Sequence, residues 1–291
     1  MNNFNEKLFY YKEIFNNYLN NFINNLPKSI PSNLLESIKY SLTGSAKRLR
    51  PILLLSSSEM LGVSIEKTIK FALALECVHN YSLVHDDLPC MDNDDYRHGQ
   101  LSTHKKFGED IGVLTGDALL NLAFEICLKD STSLEEIKST YLLANYAGIN
   151  GMIAGQVLDL ENEKLTEFNE ERLLKTYKNK TSNLLTAPLL ISSIFAGEKY
   201  YNILEEFGCN LGILFQITDD ILDVEGTLEL IGKTPNKDKD ANKLTFIKGL
   251  GLEKTKEICK EYYVKCKNLI ANLENSAFLS DLLDYIYNRN N

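Results

Sequence analysis

Two stretches concentrate acid where a helix should reject it. SLVHDDLPCMDNDDYRHG, residues 82–99, sets Asp86, Asp87, Asp92, Asp94 and Asp95 behind an apolar run. Asp86 and Asp87 end a helix that begins near Ser64, and Pro89 stops it by removing a backbone donor and restricting Leu88. A helix C-terminus carries partial negative charge, so two adjacent carboxylates there are disfavoured by the dipole and by each other. The turn at Pro89 brings Asp92 back towards them. In QITDDILD, Asp219, Asp220 and Asp223 stand at i, i+1 and i+4, which puts Asp219 and Asp223 on one face of an apolar helix. Like charges gain nothing from burial. A cation between two clusters that face each other across a cavity offsets both costs. Oxygen-only donors suit Mg²⁺, which keeps several waters and bridges to phosphate. A lone Asp-Asp pair reads as a solvated turn; two pairs on apolar helices do not. A di-iron bundle needs two Glu-x-x-His pairs, and Glu76 with His79 forms the single copy.

The basic residues complement this pattern. GSAKRLRP places Lys47, Arg48 and Arg50 before an apolar helix, against the dipole, where a bound anion would compensate. Arg97 follows the first acidic motif; KNKT carries Lys178, Lys180 and Thr181; IGKTP carries Lys233, and Lys237, Lys239 and Lys243 come after it. Taken singly, each is an ordinary surface cation. As a set they imply two anionic groups, one bound through metal and one held directly by Lys, Arg and His. His79 lies seven residues before Asp86, on roughly the same helix face, either as a satisfied core histidine or as a donor to the second anion.

Large apolar helices are needed to position such clusters. The chain has 291 residues, 44 % hydrophobic, with six prolines and no Pro-, Gly- or Ser-rich stretch, so no linker divides it. Strand alternation is scarce and helical spacing common. IKFALALECVHNYSLVH and GILFQITDDILDV are apolar on nearly every face, as in central helices. Ser133 and Glu136 form a capping-box signature, and LEKTKEICKEYYVKCKNLIANL has one apolar stripe. The expected fold is all-α: a single bundle of about ten helices over residues 1–291, around a central cavity. A net charge of −9 argues against nucleic-acid binding. Six cysteines without a Cys-x-x-Cys pair read as free thiols in a reducing compartment. The start of the chain lacks a signal peptide's apolar stretch, and the longest uncharged run, Ser182–Gly197, is too short to span a membrane. These features predict a soluble cytoplasmic protein.

In order, GSAKRLRP, ECVHNYSLVHDDLPCMDNDDYRHG, THKKFGE, LTGDALL, GMIAGQVLDL, KNKTSNLL, GILFQITDDILDVEG and IGKTP resemble the trans-isoprenyl diphosphate synthases from about Gly44 to Phe246. The resemblance implies an all-α homodimer that carries out Mg²⁺-dependent head-to-tail prenyl transfer, with three ions when substrate is bound. It implies Asp86, Asp92 and Asp219 as metal ligands, with Asp87, Asp220 and Asp223 in support. It implies Arg97, Lys180, Thr181, Gln216, Lys233 and Lys243 at the allylic diphosphate, and Lys47, Arg50, His79 and His98 at isopentenyl diphosphate. Thr181 and Gln216 would also face the allylic cation, with apolar walls keeping water away.

Within that resemblance, Tyr81 and the two-residue insertion Pro89-Cys90 point to a farnesyl diphosphate synthase of bacterial type, with Tyr81 and Ser82 setting chain length; a geranylgeranyl diphosphate synthase is the alternative. A terpene cyclase, more distant, lacks a second basic site, against Lys47, Arg50 and His79. Three departures stand out. The family's Arg-Arg-Gly reads Arg97-His98-Gly99 here, Asn236 and Asn242 replace glycines, and Phe246 replaces a tyrosine.

Overall fold

The computed structural model describes residues 2–44, 46–165, 167–225 and 244–288 and is almost wholly helical. In chain order the helices are α1 (Asn2–Asn24), α2 (Ser32–Thr43), α3 (Leu49–Met60), α4 (Ile65–Asp86), α5 (Thr103–Phe107), α6 (Glu109–Leu128), α7 (Leu134–Ala147), α8 (Met152–Asn162), α9 (Glu170–Tyr177), α10 (Asn183–Phe195), α11 (Tyr201–Glu225), α12 (Phe246–Leu250), α13 (Leu252–Ile270) and α14 (Ala277–Tyr287). Among the described residues, twelve of these are eight residues or longer, slightly more than the ten that periodicity implied. A π turn, Lys178–Ser182, joins α9 to α10.

Local signals set several boundaries as read. The α4 helix starts after Ser64 and ends at Asp86. Ser133 and Glu136 close a reciprocal capping box on α7. The β-hairpin after α4 went unforeseen: β1 (Tyr96–Arg97) pairs antiparallel with β2 (Gln100–Leu101). Its two-residue loop, His98-Gly99, has φ of 52° and 80°. Both are left-handed, which matches the tight hairpin turn whose twist suits paired strands.

The core is one apolar cluster to which every helix except α5 contributes. Residues 51–58 of α3, 71–78 of α4 and 183–194 of α10 are buried on every face. The α10 helix packs against α3, α4, α7 and α11. The α11 helix differs from its expected all-round burial. Phe215, Gln216, Asp219, Leu222 and Asp223 form a half-buried stripe at helical spacing along its second half. That stripe holds the acidic residues, so their helix is central on one side and open on the other.

None of the six cysteines forms a disulfide; Cys77, Cys127, Cys259 and Cys266 are buried and Cys90 is exposed. Among the described residues one helix, α6, is long and apolar enough to cross a membrane by length and composition, with 33 % of the qualifying window buried. Counting uncharged runs passed over it, because Asp117 and Glu125 interrupt it.

Candidate active site

The end of α4 organises the site. Past Asp86 the backbone turns back on itself: the Asp92 amide donates to the Asp86 carbonyl at 2.9 Å, and the Asp94 amide to the Asp87 carbonyl at 3.2 Å. Asp92 thus returns to the first aspartate, as the Pro89 turn requires. Burial pushes the Asp86 carboxyl up to about 6; Lys180 pulls it down, Asp92 pushes it up, and Arg97 and Asp87 act more weakly in opposite senses. One carboxyl therefore senses both the acidic loop and the π turn.

Not all the acids are placed alike. Asp87 is buried and is held by Arg97, whose Nε donates to Oδ1 at 2.9 Å. The same guanidinium reaches Asp94 at 3.4 Å. Asp94 is 5 % exposed. Asp95 is exposed and pairs with Lys105 at 2.8 Å. The charge that compensates Asp87 is thus a protein cation, and Arg97 ties the hairpin to the acidic loop.

The π turn distributes neighbouring side chains to opposite sides. A π turn is a one-residue widening of a helix and often sits at functional sites. Here Lys180 Nζ donates to Asp159 Oδ2 of α8 at 2.5 Å, while Thr181 Oγ1 donates to Gln216 Oε1 of α11 at 2.9 Å. Gln216 and the Tyr177 hydroxyl both donate to Asp220, which is buried. Asp220 accordingly turns inward, whereas Asp219 and Asp223 lie on the half-buried stripe. Two glycines permit this closeness. A Cβ on Gly155 would sit 2.2 Å from the Lys180 amide nitrogen, and one on Gly212 would sit 2.2 Å from Ser182 Cα.

A basic region flanks the same helix end. His79 is held well below the ordinary imidazole range by burial, then by the charges of Arg50, His98, Arg97 and Arg48. Both effects favour its neutral form. Burial pulls the Arg50 guanidinium down to about 10, opposed by Glu76, and its Nε is buried with no hydrogen-bond partner. Arg48 has turned away. At φ 56° it points inward, donating to Glu76 at 2.5 Å and to the Leu42 carbonyl at 2.6 Å. Lys47 is exposed. Of the three cations in KRLR, Arg48 is turned into the core, whereas Arg50 keeps a buried Nε without a partner. The left-handed turn offers a reason for His98, since histidine is among the residues enriched at positive φ. A small cleft, open to solvent, adjoins it and is lined by Asn80, Asp87, Arg97, His98, Gln100 and Ser102 among others.

Tyr81 is buried one turn before His85, with ring centroids 5.7 Å apart. Ser82 is half-buried and donates to the His79 carbonyl at 2.8 Å. Lys233 and Lys243 lie outside the described residues. Phe246, just beyond, is fully buried against Tyr177, 5.9 Å between centroids, and Phe168, 6.1 Å. An apolar ring suits that position.

Among the described residues, no three Asp, Glu, His or Cys side chains converge as a ready metal cage. The donors on hand are carboxylate oxygens, few and spread over two helices. That fits Mg²⁺, which keeps waters and takes phosphate oxygens, better than an ion bound by a complete protein shell. The orphaned Arg50 Nε beside neutral His79 fits an anion held without metal.

The Polyprenyl synthetase family model matches residues 31–277. The chain belongs to this family. It is 41 % identical to a farnesyl diphosphate synthase of Micrococcus luteus over 88 % of this chain and 89 % of that one. It is 38 % identical to a chloroplastic geranylgeranyl pyrophosphate synthase of Catharanthus roseus, over 88 % and 74 %. Among solved structures, the geranyltransferase of Helicobacter pylori complexed with magnesium and isoprenyl diphosphate is similar, with TM-score 0.83, 32 % identity and coverage of 97 % and 96 %. The apo FPP/GFPP synthase of Zymomonas mobilis gives TM-score 0.86 at 29 % identity, over 98 % and 99 %. This polyprenyl synthetase is thus a short-chain trans-prenyltransferase of the farnesyl or geranylgeranyl diphosphate synthase type.

Two features of the synthase escaped the sequence reading: the Asp159–Lys180 pair and the Arg97 clamp. GMIAGQVLDL was the available signal for the first, since it carries a glycine and an acid one helical turn apart.

Proposed function

We propose that the chain is a Mg²⁺-dependent farnesyl diphosphate synthase, one polyprenyl synthetase domain condensing isopentenyl diphosphate with dimethylallyl or geranyl diphosphate. One observation carries this reading: the end of α4 joins an acidic half (Asp86, Asp92, Lys180, with Thr181 and Gln216 on the α11 side) to a basic half (Arg50, His79, His98). Two anionic substrates can be held head to tail across that boundary. Bound Mg²⁺, held by Asp86, Asp92 and Asp219, would neutralise charge on the departing diphosphate. Lys180 would add a fixed cation there, with Asp223 in support. Thr181 and Gln216 present oxygens towards the allylic cation, and buried apolar helices keep water from it. Arg50, Lys47, His79 and His98 hold the second diphosphate, so that the isopentenyl double bond meets the cation. The diphosphate can accept the proton that leaves. No protein nucleophile is required.

Support for farnesyl as product comes from Tyr81 and from the Micrococcus relative; geranylgeranyl relatives make the longer product the second reading. Incubating dimethylallyl and isopentenyl diphosphates with the enzyme and Mg²⁺ is expected to yield farnesyl diphosphate as the main product. Release of diphosphate without chain extension would overturn prenyl transfer altogether.

The active form is proposed to be a homodimer in the cytoplasm. Leu114 on α6, Ile137 and Tyr141 on α7, Ile149, and Ile153 and Val157 on α8 are each exposed, Tyr141 at 71 % and Ile149 at 82 %. An apolar surface of this kind is usually covered in solution, which also accounts for α6 without a membrane. Light scattering on the active enzyme is expected to give twice the 33.0 kDa chain.

His98 makes a pH prediction. Histidine loses its charge across neutral pH, whereas arginine keeps a charged bidentate fork. The isopentenyl KM of the natural enzyme should therefore rise from about pH 6 to about pH 8. His98→Arg is expected to lower that KM, by about tenfold at the upper end, and to flatten the profile. Identical profiles for the two proteins would remove His98 from the site.

A further inference from the structure

We propose that Asp159 is a positioning residue for prenyl transfer, holding the Lys180 ammonium at the edge of the acidic site so that it is in place before the allylic diphosphate arrives. The proposal rests on the assignment of Lys180 to that diphosphate.

Two independent features of α8 converge on Lys180. Gly155 lets the helix approach until its Cα stands against the backbone of residues 179–180, where a side chain would collide at 2.2 Å. One turn later Asp159 takes the ammonium at 2.5 Å, in a pair whose side chains are 23 % and 19 % exposed. The π turn completes the arrangement. It sends Lys180 to α8 while Thr181, its neighbour, goes to α11. An ordinary surface ion pair contributes little, but this one joins two elements at the site and fixes a side chain with much rotamer freedom to lose. Lys180 also remains near enough to Asp86 to influence it, so Asp159 restrains the cation without drawing it out of the acidic region. An ammonium bound to one carboxylate oxygen keeps two further N–H donors for an incoming phosphate.

Positioning through another residue has a signature that a structural role lacks. Asp159→Asn is expected to lower kcat by about 10- to 100-fold, with a smaller change in the allylic KM, the scale of a misplaced catalytic group. In a Lys180→Met background the same substitution should cost less than about twofold more, because the group it acts through is gone. Asp159→Glu, which keeps the charge, should recover most of the loss and guards against a folding defect in the Asn variant. Full, independent losses in both backgrounds would overturn the proposal, as would natural kcat and KM in Asp159→Asn alongside an impaired Lys180→Met. Natural activity in Lys180→Met would overturn the diphosphate assignment of Lys180, and the Asp159 role with it.

Discussion

Asp86→Asn is expected to abolish prenyl transfer and, at neutral pH, to stabilise the folded protein. The two effects have the same physical origin. Asp86 lies half-buried at the end of α4, where burial and Asp92 push its carboxyl up from 3.8 to about 6. A carboxyl raised on folding favours the protonated native state. Its contribution is fully present below the unfolded value and is lost as pH rises through about 6, so at pH 7 to 8 the ionised group strains the fold. Asparagine copies the protonated acid without the charge. The variant should therefore gain about 1–3 kcal/mol over the natural protein at neutral pH, a Tm increase of a few degrees. The gain should vanish below about pH 4, where both chains are neutral at this position. Activity should move the other way. Losing a metal-binding oxygen at the departing diphosphate should cost about 10³-fold or more in kcat. Thermal unfolding at the two pH values, with product assays at neutral pH, checks both signs. A variant that is inactive but no more stable than its parent at neutral pH would mean that Asp86 is not strained. An active one would remove it from the metal site.

Tension of this kind is what made the first motif legible. Two carboxylates at a helix C-terminus, followed by a proline, are costly by general rules, and those rules require no knowledge of the fold. The all-α architecture followed from periodicity in the same way, as did the α4 boundaries and the capping box of α7. Pairing choices were not legible. Which of Lys47, Arg48 and Arg50 turns inward depends on a left-handed residue at Arg48 and on Glu76 waiting in the core, 28 positions along. Asp94 looked like its neighbour Asp95, yet one is buried under Arg97 and the other meets solvent. The π turn has no sequence cue comparable to a cap, and without it Lys180 and Thr181 read simply as adjacent polar residues. The hairpin was missed for a different reason. His98-Gly99 is a two-residue turn signal, but its strands are only two residues each, too short for alternation to register. Sequence therefore located the charges, and the tertiary structure decided which of them answer one another.

Tyr81→Ala should lengthen the product. The ring is buried on α4, and α6 backs it through His85. His85 is itself wedged. Its Nε2 lies 3.0 Å from the Val113 carbonyl, and a Cβ on Gly116 would fall 2.0 Å from the same atom. The imidazole cannot retreat without displacing α6, so the Tyr81 ring is a fixed wall and not a swinging gate. Truncation leaves an apolar hollow, and hollows lined by such side chains stay dry and accept hydrocarbon. A growing prenyl chain is that hydrocarbon. The main product should shift from farnesyl to geranylgeranyl diphosphate or longer, at a stability cost of about 2–4 kcal/mol in the absence of substrate. Tyr81→Phe keeps the ring and should keep the product, since the block is steric. A Tyr81→Ala enzyme that still stops at farnesyl would exonerate the ring. A natural enzyme that already makes geranylgeranyl diphosphate would shift the wall one turn deeper along α4, to Cys77 and Val78, both fully buried. In that case Cys77→Ala, and not Tyr81→Ala, should be the substitution that lengthens the chain.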